Sequence, residues 1–179
     1  MISRPAESVA PAAPPVSANR SNLKLPAPGG AGEFVLSECP RVHEPPAAVF
    51  ERLAWKLAAR EAEVLGLMVY GRIAARAEIE DAMRAALGAT QWPVTWVEGG
   101  SCVGAALAGV QAFAMSGRTV ERVRLGSRIV GSVYEDGGAR HCLLGGLGPT
   151  SLALGGPAQV QQMFGNLEWA LDQAGFELA

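Results

Sequence analysis

Histidine and cysteine are scarce in this chain, aromatic residues are few, and neither sign of charge dominates. Each shortage closes off a class of function. The 2 histidines, His43 and His141, and the 3 cysteines, Cys39, Cys102 and Cys142, stand far apart without a C-x-x-C pair. That spacing supplies no zinc or iron–sulfur ligand set, and an odd number of scattered cysteines reads as reduced thiols, not as a disulfide framework. The 15 Lys+Arg against 17 Asp+Glu leave a formal net charge of −2. No basic block marks a nucleic-acid footprint, so no nucleic-acid partner is expected. No window reaches the roughly 18 apolar residues of a membrane span, and residues 1–31 lack the run of about 7 that a secretory signal needs. The expected setting is therefore the cytoplasm, with no metal or organic cofactor and no membrane contact.

Hydrophobic residues make up 49% of the chain, enough to build a core, although alanine supplies much of that figure. The proline- and alanine-rich stretch 1–31, ending in APGGAG, has few large apolar groups and is expected to be a disordered tail. Beyond it, Glu33-Phe34-Val35-Leu36 reads as a strand. Pro46 suits the start of a helix over Ala47–Arg60, whose Phe50, Leu53, Ala54 and Leu57 share a face, with Trp55 half-buried beside them. Glu63–Gly71 reads as a strand and Ala77–Leu87 as a helix closed by Gly88. Trp92–Val97 is the next strand, placed by Pro93 near a sheet edge or a strand start. Glu98–Gly104 is a small-residue loop, and Gly109–Met115 is a further strand. Val120–Val133 gives 2 short strands turning at Gly126-Ser127, and Asp136-Gly137-Gly138 is a hairpin signal. This order predicts an α+β fold, a mixed sheet with helices packed on one face.

The most informative stretch is Ala139–Leu178. A strand at His141–Leu144 ends in Gly145-Gly146, and the loop to Pro157 carries Gly148 and Pro149. From Ala158, the apolar positions Val160, Met163, Phe164, Leu167, Ala170, Leu171 and Ala174 recur at helical spacing, and Gly175 ends the helix. Gly145-Gly146, Pro149, then Gln159, Asn166, Leu167, Leu171 and Gly175 resemble the opening half of a Rid/YjgF domain, in particular the chorismatase-like branch of that superfamily.

The resemblance implies a divergent Rid-like half over 32–117 and the start of a second Rid-like domain over 118–179. It implies action on chorismate or a similar small carboxylate. It also implies that the strand completing the second domain, with most ligand-contacting residues, would follow Ala179. On that basis the chain is expected to be inactive alone, as the N-terminal portion of an enzyme. It would be completed by a C-terminal half or by other copies in a homo-oligomer. The alternative is a non-catalytic, oligomerising Rid-like module that binds a small metabolite. A plain α+β domain with structural glycine loops is a third reading.

Among candidate site residues, the Gly145–Pro149 loop lacks both the Walker ending and the G-x-G-x-x-G spacing. By analogy with Rid-like proteins, Gly145, Gly146 and Pro149 are expected to face a ligand cleft. Arg140 and Arg128 are the nearest cations in sequence, and Arg140 is taken as the candidate for a carboxylate. Cys102, in the loop Gly99–Gly104, has no base placed beside it, so a structural or incidental small residue is favoured over a nucleophile. His141 and Cys142 should face opposite sides of their strand.

Overall fold

A computed structural model describes residues 22–26, 31–151 and 153–177. The chain is α+β: the described residues form a five-stranded mixed sheet, a three-stranded antiparallel sheet and 3 α-helices. Strand β1 (Asn22–Pro26) pairs antiparallel with β2 (Gly32–Glu38). Residues 22–26 fall inside the stretch expected to be a disordered tail and correct it there; 1–21 and 27–30 lie outside the described residues.

Helix α1 (Pro46–Ala58) leads to β3 (Glu63–Gly71). A 3₁₀ turn (Ile73–Ala75) and α2 (Arg76–Leu87) then lead to β4 (Val94–Glu98). Strand β4 runs parallel to β3, so β3–α2–β4 is a crossover unit of the kind a parallel pair requires. Strand β5 (Leu107–Ser116) returns between β2 and β3, antiparallel to both, giving the order β1-β2-β5-β3-β4.

Both helices cover one face of this sheet. Phe34 and Leu36 of β2, Val110, Ala112 and Ala114 of β5, and Val64, Leu67 and Val69 of β3 share a core with Val49, Phe50, Leu53 and Leu57 of α1 and Ile79 and Met83 of α2. Val64 and Leu67 could not face the same side of a regular strand, whose side chains alternate. A bulge between Val64 and Gly66 inserts Leu65 and resets the alternation. Trp55, expected to be half-buried, is 71% exposed, because the buried stripe of α1 runs through Val49, Phe50, Leu53, Lys56 and Leu57 instead. Beside that stripe, the buried Glu38 carboxylate pairs with Arg52 at 2.9 Å and with Lys56, and Arg52 also binds Glu44 and donates to the Cys39 carbonyl. Burial alone would raise the Glu44 carboxyl, but bonds from Arg52 and the Arg41 amide, with their charges, hold it below its ordinary value.

Strands β6 (Glu121–Leu125), β7 (Arg128–Asp136) and β8 (Ala139–Leu144) form the second sheet as a meander. Gly137 and Gly138 both have positive φ, as a tight two-residue hairpin between right-twisted strands demands. Helix α3 (Gly156–Gln173) lays Ala170, with Ala174 just beyond it, on Val123, Val130 and Val133. Its C-terminus closes with Phe176 N–H bonded to the Leu171 carbonyl around Gly175 (φ 71°), which satisfies carbonyls the helix would leave open. Of the apolar stripe read from the sequence, only Ala170 and Ala174 are buried, whereas Val160 and Phe164 are 49% and 56% exposed.

The 2 sheets meet at the β3 bulge. The fully buried Ser132 hydroxyl donates to the Leu65 carbonyl at 2.5 Å and accepts from Arg122 Nη1 at 2.5 Å, while Arg122 also pairs with Glu63. Leu143 packs over Gly66, where an added β-carbon would meet it at 3.0 Å. No described helix is long and apolar enough to cross a membrane.

Candidate functional site

A cleft of about 1210 Å³ opens between the two sheets' outer parts. Helix α2 and strand β4 form one wall, and the β6–β7 hairpin, the segment Leu144–Thr150 and Met163 of α3 form the other. The elements explain the wall's composition. Helix α2 buries Ile79 and Met83, and on the flank of that stripe Arg76, Glu80 and Arg84 line the opening beside Met83. Strand β4 is the sheet's edge; it carries Trp96, and Trp92 just precedes it. The tight β6–β7 turn projects Arg124, Ser127 and Arg128 from the far side.

The loop expected to meet a ligand does border this cleft, and its glycines are required for another reason. An added β-carbon at Gly145 would lie 2.8 Å from Thr95 Oγ1, and one at Gly146 would lie 2.6 Å from the Val94 carbonyl oxygen. Gly146 N–H donates to Thr95 Oγ1 at 3.0 Å. These two glycines let the loop press onto β4 beside the cleft. Helix α3 holds the rest of the loop: Asn166 Nδ2 donates to the Gly148 carbonyl at 3.1 Å, and Gln162 Oε1 accepts from Thr150 N–H at 2.8 Å. Pro149 lines the cleft with them.

Arg140 is placed elsewhere. Its guanidinium lies over the Phe176 ring at 5.8 Å and pairs with Glu121 at 3.3 Å, near the C-terminus of α3, where a positive charge suits the helix dipole. Arg128, its neighbour in the reading, does line the cleft. His141 stacks on Tyr134 with centroids 5.0 Å apart, and Cys142 is half-buried on the other side of β8. Burial pushes the Cys142 thiol up, against an opposing pull from Arg140, so it is a poor nucleophile at neutral pH. Cys102 and Cys39 are exposed. No group of 3 or more metal-ligating side chains is found among the described residues.

The cleft residues the sequence reading did not single out are the ones that give it character. Four arginines line it (Arg76, Arg84, Arg124 and Arg128), and Glu80 is the only carboxylate among the described lining residues. Arg76 pairs with Glu80 at 2.7 Å and lies over the Trp96 ring at 4.9 Å, and Arg84 pairs with Asp81 at 2.7 Å. Arg124 and Arg128 have no ion pair among the described residues. The cleft therefore offers two free guanidinium forks opposite an aromatic wall, a match for an anionic group on an apolar or planar body. The signals for this were the paired tryptophans of W-P-V-T-W and the arginines of R-V-R-L-G-S-R, legible only once the fold faces them toward each other. Among the described residues neither histidine nor cysteine lines the cleft.

Comparison with protein-family models, with curated proteins and with solved structures finds no match.

Proposed function

We propose that this chain binds chorismate or a similar small carboxylate in the cleft between its two sheets, as a Rid/YjgF-like, chorismatase-like protein. The carrying observation is the pair of arginines, Arg124 and Arg128, which have no ion pair among the described residues and line the cleft with Trp92 and Trp96. Two further features support the reading. The order β6-β7-β8-α3 with its Gly145-Gly146 loop is what the resemblance leads one to expect of an opening Rid-like half. The loop also lies at the cleft rather than away from it.

Calorimetric titration with fresh chorismate tests this. Substituting Arg124→Ala or Arg128→Ala should each weaken binding about 10-fold or more, the scale of a hydrogen bond to a charged group. Raising the salt should weaken it further. No binding at millimolar chorismate, or binding indifferent to both substitutions, would remove the proposal. The second reading, an oligomerising binding module, draws on the exposed Val160 and Phe164 of α3. A single discrete oligomer in light scattering favours it, and a monodisperse monomer removes it.

A further inference from the structure

Strand β4 is an open edge of the five-stranded sheet, with no neighbouring strand on its outer side among the described residues. Two backbone bonds set which of its residues turn outward. Leu67 N–H donates to the Pro93 carbonyl at 3.0 Å, and Gly99 N–H donates to the Gly71 carbonyl at 3.1 Å. In a parallel pair, every second residue of a strand directs its backbone groups at the neighbour. Pro93, Thr95, Val97 and Gly99 therefore face β3, and Val94, Trp96 and Glu98 turn N–H and C=O away from it. The Gly146 loop lies against the Val94 carbonyl. Trp96 and Glu98 keep an open edge, the kind of surface that takes up a further strand.

The edge opens at the cleft, which Val94, Thr95 and Trp96 line. A strand laid along β4 would point successive side chains to opposite faces of the sheet. Arg76 and Arg84 of α2 flank one face, and Arg124 and Arg128 of the β6–β7 hairpin flank the other. The pairs Arg76–Glu80 and Arg84–Asp81 lie along one helix at its surface, where such pairs are weak and readily exchanged. Glu80 is the only carboxylate among the described lining residues, so both faces favour acidic side chains. The same charges oppose a second copy of this chain, whose arginines would meet their own counterparts.

We infer that the β4 edge and its arginines form a docking groove for an extended, acidic peptide segment of a partner protein, added as a sixth strand. Backbone bonds to Trp96 and Glu98 supply affinity, and acidic residues at adjacent positions, one toward each wall, select the partner. The inference goes beyond the small-carboxylate reading in the class of ligand and does not depend on it. The cleft, at about 1210 Å³, has room for several residues of such a segment.

The probe is a fluorescein-labelled octapeptide, Asp-Glu-Val-Thr-Asp-Glu-Val-Thr, titrated into the full chain and followed by fluorescence anisotropy. One comparison peptide carries lysine at each acidic position, and another is N-methylated at its central amides. The lysine peptide should not bind, and the N-methylated one should bind about 10-fold more weakly or worse, the scale of two lost backbone bonds. Arg76→Ala and Arg128→Ala should each weaken the acidic peptide about 2- to 5-fold, as loss of an exposed ion pair does. Hydrogen exchange of the wild type reads the backbone directly. The Trp96 and Glu98 amides should exchange fast in the free chain and slowly with saturating peptide, whereas Thr95 and Val97, bonded to β3, stay slow in both. Equal binding of the N-methylated peptide, or no added protection at Trp96 and Glu98, overturns the inference. So does the absence of binding at millimolar acidic peptide. Chorismate, titrated separately, keeps the two readings apart. Peptide binding without chorismate binding removes the small-carboxylate proposal alone, and chorismate binding without peptide binding removes this one alone.

Discussion

Gly146 lies so close to Val94 that a β-carbon on it would stand 2.6 Å from the Val94 carbonyl oxygen, at a φ of +66° that side chains rarely adopt. The neighbouring atom is backbone of an edge strand held by β3, so it cannot swing aside. Gly146→Ala should therefore destabilise the chain by about 2–4 kcal/mol, combining a left-handed backbone penalty with overpacking. Gly148→Ala is the control: nothing lies within 4 Å of its β-position, and the change should stay within about 0.5 kcal/mol. Urea unfolding of the two variants measures both, and equal stabilities would refute the contact between loop and strand.

Ser132 tests the contact between the sheets. Its hydroxyl is fully buried and satisfies the Leu65 carbonyl, which the bulge turns out of the β3–β5 ladder's regular register, while accepting from Arg122. Ser132→Ala leaves that carbonyl and one guanidinium N–H without their partner in a dry place. The expected loss is about 1–3 kcal/mol in chemical denaturation. An unchanged midpoint would mean that the two sheets are not coupled through this residue.

Much of the fold was legible because local signals and packing agree. Glu63–Gly71 is a strand in both readings, Pro46 starts α1, and the glycines at 137, 138 and 175 stand where positive φ is needed. Strand β1 was hidden because Asn22–Pro26 sits in proline-rich surroundings and gains its structure from pairing with β2, a long-range cause that composition does not carry. Trp55 was misplaced because its helix face is decided by the adjacent Lys56, whose stem is buried beside Glu38. The site was half legible. Gly145, Gly146 and Pro149 lie at the cleft, but Arg140 is turned to Phe176, just past the end of α3, and to Glu121, a placement set by packing and not by proximity in sequence. Trp92, Arg76 and Arg124 come together from separate elements across the two sheets, so no local pattern could have joined them.

Tyr134 supplies a pH-dependent prediction. Burial, the Glu33 charge, the hydrogen bond from its hydroxyl to Glu33 Oε1 at 3.1 Å and the Asp136 charge all oppose ionisation, and the phenol is pushed up to about 12. In the unfolded chain a tyrosine ionises near 10. Between these values the unfolded state binds fewer protons than the native state, so stability falls as pH rises. The contribution is fully present below about pH 10 and is lost as pH climbs through the folded value. With only 2 tyrosines in the chain, the ultraviolet difference spectrum of the phenolate resolves the late transition, which Tyr134→Phe should abolish. Glu33→Gln should bring it to lower pH by removing the charge that faces the phenol. A late transition that persists in Tyr134→Phe would show that another group carries it and that the Tyr134–Glu33 bond between the sheets is not held in solution.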